Sequence, residues 1–384
     1  LLEECPLPGI CGRYLTVTAT SFLLAWGSSA AAETIRTERV NLAVETLATG
    51  LDHPWAIEVL PDNAIVITER SGALRIVRNG KLGAPVRGMP EVYAESQGGL
   101  LDVALSPDFA SDRTLFFTAT RQFGSGIGIS VFSGRLSDDE TSIDAITTVY
   151  QSVNPGRRAA NMGARIAFAP DKSMFVTLGD QFTPKLAQDF KDDHGSVIRL
   201  NRDGTIPADN PFADGQKGLP QLWSKGHRNP QGIAFDRKDN VLYTVEHGAR
   251  GGDEINRPEA GKNYGWPAIS YGVNYDRSKV GIGTEAPGLE QPLHYWDPSI
   301  APGALLVYRG KMFPEWDGDF LVAALKFQLI ARLSRDAEGA IAGEERILED
   351  AYGRIRDIIE APDGALLVVT DEDDGALLRI SRAR

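Results

Sequence analysis

Cysteine is almost absent from this chain. Two occur among 384 residues, Cys5 and Cys11. Both lie in a segment read below as a leader, so the mature chain would have no disulfide, thiolate metal site or cysteine nucleophile. A chain this long can be held by its core alone. Basic runs are missing as well: 40 Lys and Arg against 52 Asp and Glu leave a net charge of −12. With the basic residues dispersed, this excludes a nucleic-acid footprint. There is no Gly-x-Ser-x-Gly elbow, His-Glu-x-x-His helix, Walker loop or Cys-x-x-Cys-His haem motif. Nor does any segment of a dozen residues keep helical apolar spacing, because 40 glycines and 22 prolines interrupt throughout.

The N-terminus has its own pattern. Arg13 precedes an apolar run from Tyr14 to Trp26, followed by small residues ending in Ala30-Ala31-Ala32. A charged region, a short apolar region and an Ala-x-Ala site define an export signal. The run is too short to span a bilayer, and a retained short anchor is the alternative. Residues 1–32 are therefore expected to be removed. Residues 33–384 would form a periplasmic protein with no stable membrane insertion, monomeric or homodimeric.

From there one theme recurs six times: a Pro/Asp turn, an apolar or alternating strand, and a polar turn. It reads LPDNAIVITER from Leu60, SPDFASDRTLFFTAT from Ser106 and APDKSMFVTLGD from Ala169. It returns as DRKDNVLYTVEHG from Asp236, FPEWDGDFLVAAL from Phe313 and APDGALLVVTDE from Ala361. A further strand follows in several, as in GALRIV and GALLRI. Such repetition predicts an all-β, six-bladed β-propeller in a single domain. Two packed sandwiches are the rival, but no linker of Pro, Ser or charge divides the chain. A short helical turn is expected near Pro184 to Asp192.

The densest chemistry lies between Gly226 and Pro267, in GHRNPQG, EHGARGGDEIN and GKNYGWP. Tight turns explain the glycines but not the His, Arg, Asn, Asp and Glu gathered around them. Further cations sit at strand ends. Lys326 falls in AALKFQ, and Arg354 and Arg356 alternate in GRIRDII, placing both on one strand face. Arranged around an axis with Arg228, they would suit a small molecule bearing several carboxylates. His53 and His194 read as structural rings, and His294, Tyr295 and Trp296 as a possible pocket rim or core.

Taken together, these segments resemble the soluble PQQ-dependent aldose sugar dehydrogenases, six-bladed propellers related to soluble glucose dehydrogenase. The likeness runs from GLDHPWAIEVLPD at Gly50 to TDEDDGALLRI at Thr370. It implies that Gln97, Arg228, Asn229, Lys326, Arg354 and Arg356 surround PQQ, a flat quinone with three carboxylates. It also implies Ca²⁺ on the carbonyls of Gly248 and Ala249, where relatives usually carry Pro at the second position. A structural Ca²⁺ near Glu254 and the Tyr264 carbonyl is a further implication, since calcium takes hard oxygen ligands.

One position departs from the family. Its base is a histidine opening His-x-Gly-x-Arg, and here that segment is Asn161-Met162-Gly163-Ala164-Arg165. Its orienting partner, Asp180, is present. An amide can hydrogen-bond a sugar hydroxyl but cannot accept its proton, and a lost general base costs about 10²–10⁴ in rate. The catalytic set is thus Asn161, Asp180 and Arg228, with Asp180 as a substitute base, directly or through water. The expected function is oxidation of aldose sugars at the anomeric carbon, passing electrons to a separate acceptor. The alternatives are a non-catalytic propeller binding PQQ, a sugar or another polyanion, and a calcium-dependent lactonase.

Overall fold

The computed structural model describes residues 33–383, and the leader reading falls outside them. Six antiparallel sheets form the blades, five of four strands and one of five. The inner strands are Pro54–Val59, Leu100–Leu105, Gly163–Phe168, Pro230–Asp236, Pro302–Val307 and Ile355–Glu360. Each packs against the next and the sixth against the first, which closes a ring around a central axis. The protein is an all-β six-bladed propeller, as the repeats predicted.

Each repeat supplies the turn after an inner strand and then the second strand of its blade. Those second strands lie between neighbouring blades and are buried on both faces, so they read as apolar runs rather than alternation. Ile65–Glu69, Met174–Leu178, Phe320–Ala324 and Leu366–Thr370 are buried along their whole length. Among the described residues helix is confined to Phe109–Asp112 and the 3₁₀ turns Pro184–Gln188 and Pro314–Trp316. None among the described residues could cross a membrane.

The ring closes without a covalent bond. Asn41–Leu51 pairs with Gly375–Arg382, setting Val44 opposite Ile380, and Glu33–Arg36 adds the outermost strand of blade 6.

One irregularity recurs in every blade. The register between inner and second strand slips at the start of the inner strand, between Pro54 and Ala56, Leu100 and Val103, and Gly163 and Ile166. It slips again between Pro230 and Gly232, Pro302 and Ala304, and Ile355 and Asp357. A β-bulge re-aims the side chains it displaces. Here the displaced residues include Trp55, Asp102, Arg165, Gln231 and Arg356, so six bulges turn one end of the barrel toward its axis.

Arg165 holds that axis together. Its Nε donates to the Gln231 carbonyl at 2.8 Å, and its Nη1 pairs with Asp102 and Asp357, both at 3.0 Å. Its Nη2 reaches the carbonyls of Gly303 at 2.8 Å and Arg356 at 3.3 Å. The guanidinium also lies 4.1 Å from the Trp55 ring centre. One side chain therefore touches the inner strands of all six blades. Beyond it lies a chamber of about 240 Å³ lined by Glu58, Asp102 and Asp357.

Candidate active site

At the bulged end of the axis lies a cavity of about 220 Å³. Inner-strand starts and second-strand ends meet there, because antiparallel neighbours bring them to the same edge. Gln97, Asn161, Arg228, Asn229, Arg354 and Arg356 all line it. They come from blades 2, 3, 4 and 6 or the loops entering them.

Arg228 is buried yet tightly placed. Its N–H donates to Glu246 at 2.6 Å, and its Nη1 donates to the Gly248 carbonyl at 2.6 Å. Phe182, Trp266 and Tyr275 surround its guanidinium at 5.3 to 5.9 Å from their ring centres. Asn229 Oδ1 accepts the Gly163 N–H at 3.1 Å, tying blade 4 to blade 3. Arg356 donates Nη1 to Gln231 at 3.0 Å and pairs through Nη2 with Asp371, but its buried Nε has no partner among the described residues. Burial opposes ionisation of Asp371, yet the Arg356 charge and hydrogen bond hold it down to about 2. His247 also lines the cavity, and its buried Nε2 has no partner among the described residues. Burial, then Arg228 and Arg356, hold that imidazole down to about 3, so it is neutral.

Asn161 stands at a left-handed backbone position, φ 51°, which asparagine and histidine both tolerate better than most residues. Its N–H donates to Gln97 Oε1 at 2.8 Å and its Nδ2 to Asp180 Oδ1 at 2.9 Å. Asp180 is not in the lining. Its Oδ1 also accepts the Phe182 N–H and its Oδ2 the Trp266 indole N–H, each at 2.9 Å. The carboxylate lies one hydrogen bond behind Asn161, engaged by three donors and 1% exposed. This geometry weighs against Asp180 as a direct base.

Other expected residues lie elsewhere. Lys326 is exposed beside the lining residue Leu325, its ammonium 4.8 Å from the Phe327 ring centre. Gly248 and Ala249 follow His247 outside the lining, and a cation, Arg228, already occupies the Gly248 carbonyl. Glu254 belongs to a separate cluster with Glu246 and Asn256. Asn256 donates Nδ2 to both carboxylates, at 2.9 and 3.1 Å, while its buried Oδ1 has no partner among the described residues. Burial and the Glu246 charge push Glu254 up to about 8. Carboxylate and amide oxygens with one acceptor to spare form a hard-oxygen set that suits calcium. Tyr264 stacks on His227 at 4.8 Å and spends its hydroxyl on the Arg257 carbonyl and Glu259 N–H. His294, Tyr295 and Trp296 form the outer strand of blade 4 and do not reach the cavity. Trp296 is buried there and donates to Glu344 at 2.9 Å. His53 bridges Asp371 and Asp373, and His194 pairs with Asp192 in the interior.

Sequence reasoning missed Arg70, His247, Leu325 and Asp371 in the lining. A signal was available. Each is the first residue after the second strand of its blade, so aligning the repeats on their strand ends would have collected all four.

A propeller with a cationic axial cavity defines a class, and the comparisons place the chain within it. The Glucose / Sorbosone dehydrogenase family profile matches residues 51–379. The chain is 41% identical to the aldose sugar dehydrogenase YliI of Escherichia coli, over 88% of this chain and 92% of that one. The apo-form structure of the soluble aldose sugar dehydrogenase from Escherichia coli superposes with a TM-score of 0.85 at 41% identity, covering 89% of this chain and all of that one. The PQQ-bound aldose sugar dehydrogenase from Streptomyces coelicolor gives a TM-score of 0.73 at 26% identity, covering 88% and 98%. This chain belongs to the glucose/sorbosone dehydrogenase family.

Proposed function

We propose that the chain is an exported, periplasmic quinoprotein that oxidises aldose sugars at the anomeric carbon, with PQQ in the axial cavity and calcium beside it. One observation carries this reading: Arg356 Nε is buried without a partner among the described residues, in a cavity ringed by arginine. Buried polar atoms are normally satisfied, so a spare N–H among cations fits a flat, oxygen-rich anion. A PQQ-bound relative supports the same identity.

When bound, PQQ supplies a quinone that accepts the hydride from the sugar. Arg228, Arg354 and Arg356 would hold its carboxylates, Gln97 and Asn229 would offer it hydrogen bonds, and Lys326 would add a cation from the rim. Calcium would take the Ala249 carbonyl and share that of Gly248 with Arg228, since a carbonyl has two lone pairs. Glu254, with the Tyr264 carbonyl, is the proposed second calcium position. Asn161 orients the sugar hydroxyl but cannot take its proton, so proton transfer is the slow step. A separate acceptor then receives the electrons.

The second reading is a propeller that binds PQQ without turnover. The amide at Asn161 and the burial of Asp180 behind it favour it. Both readings are tested by titrating the apoprotein with PQQ and Ca²⁺ optically, then adding glucose and a redox dye. Binding with dye reduction establishes the dehydrogenase. Binding without reduction, restored by Asn161→His, establishes the second reading. Absence of binding removes the cofactor from both.

A further inference from the structure

We propose that Arg70 is a fourth guanidinium of the cofactor site, donating to a carboxylate of the bound quinone. The inference rests on the reading of the cavity above and adds a residue to it. Arg70 follows the second strand of blade 1, the place taken by His247 in blade 4 and Asp371 in blade 6.

Its backbone is locked from both sides. The Arg70 N–H donates to the His53 carbonyl at 3.2 Å, and its own carbonyl accepts the Leu100 N–H at 3.2 Å. Gly99 passes so close, at φ 139°, that any Cβ there would collide with the Arg70 carbonyl. The side chain crosses to the loop before blade 2, where Nη1 donates to the Ser96 carbonyl at 3.1 Å, next to Gln97. That contact uses one corner of the guanidinium. Its Nε lies buried beside the cavity with no partner among the described residues. A buried donor left unmade is costly, and a purely structural role for Arg70 would leave it so.

Charge points the same way. The lining contains Arg70, Arg228, Arg354 and Arg356 against a single carboxylate, Asp371. Among these arginine and carboxylate groups Arg70 completes a surplus of three positive charges, which suits a ligand with three carboxylates. The Arg70 charge is also among those that hold Asp371 ionised. Arg70, Asp371, Arg354 and Arg356 thus make one continuous wall across blades 1 and 6.

The test compares PQQ titrations, followed by absorbance in the presence of Ca²⁺, for the wild-type chain, Arg70→Gln, Arg70→Lys and Lys81→Gln. Lys81 is exposed on the outer strand of the same blade and controls for the loss of one charge. Arg70→Gln should weaken PQQ binding about 10- to 100-fold, the range of a charge-assisted hydrogen bond. Arg70→Lys should recover part of it, and Lys81→Gln should bind as wild type. Thermal melts of the apoproteins check that each variant is folded. If wild type and folded Arg70→Gln bind PQQ equally, the proposal is overturned. Unchanged PQQ affinity with a raised KM for sugar also overturns it, because Arg70 would then serve the substrate. Failure of the wild-type chain to bind PQQ defeats the underlying reading, and this assignment with it.

Discussion

Arg165 and Arg356 are neighbouring guanidiniums on one axis, and their surroundings differ in a single respect. Arg165 has five N–H donors and five partners, two carboxylate and three carbonyl. Arg356 has a carboxylate and an amide for its two terminal nitrogens and, among the described residues, nothing for Nε. Both are buried, so burial does not separate them. What separates them is whether the protein itself answers every donor. A completed shell binds six blades together, whereas an incomplete one leaves affinity for something the chain does not contain. The same contrast extends along the axis, from carboxylates around Arg165 at one end to spare donors at the other.

The most disruptive way to break this comparison is Arg165→Met. It would leave Asp102 and Asp357 buried without their cation, at a cost of about 3–5 kcal/mol, read as a lower denaturant midpoint. Comparable in size but opposite in kind, Asn161→His should raise sugar-dependent dye reduction about 10²–10⁴-fold with little change in melting temperature. Unchanged turnover in this variant would place the slow step elsewhere.

Arg354→Gln sharpens the contrast at the ligand end. Arg354 is 45% exposed and 4.0 Å from Asp371, so stability should move by less than about 0.5 kcal/mol, while PQQ affinity falls about tenfold. A large loss of stability there would show that the open shell is structural too.

The smallest effect concerns pH. Burial, then Asp102 and Asp357, push Glu58 up to about 8 from its usual 4.5. A carboxyl with a raised folded pKa holds its proton more tightly when folded. Its contribution is therefore complete below about 4.5 and is lost as pH rises toward 8. Asp102, pushed up to about 6 chiefly by burial, acts in the same direction over a narrower window. Glu58→Gln should melt like wild type near pH 4 and above it by a few degrees at pH 8. The difference should grow by at most about 1.4 kcal/mol per pH unit. Parallel melting curves would mean that Glu58 titrates normally.

Much of the fold was legible because a propeller repeats its grammar. The six Pro/Asp turns and their buried second strands mark the blades, and the strand-end cations Arg228, Arg354 and Arg356 do gather at one cavity. Other parts of the site were not legible. The HYW segment carries aromatic residues suited to a pocket rim, but Trp296 instead packs against blade 5 through Glu344. Lys326 sits at a strand end like the arginines, yet it is exposed beside the Phe327 ring and not among the lining residues. Asp180 was placed correctly beside Asn161, but residue identities could not reveal that three donors already occupy it.

By itself the sequence determined the class of fold, the number of blades, the surplus of cations near strand ends and the amide at Asn161. These follow from local chemistry: turn residues, apolar runs and side-chain type. Only the tertiary structure decided which charges are spent and which are spare. That decision depends on six register slips that re-aim inner-strand side chains, and on partners brought from opposite blades. Arg165 and Arg356 are both arginines near the start of an inner strand. What distinguishes them is the set of acceptors that closing the ring brings within about 3 Å of each.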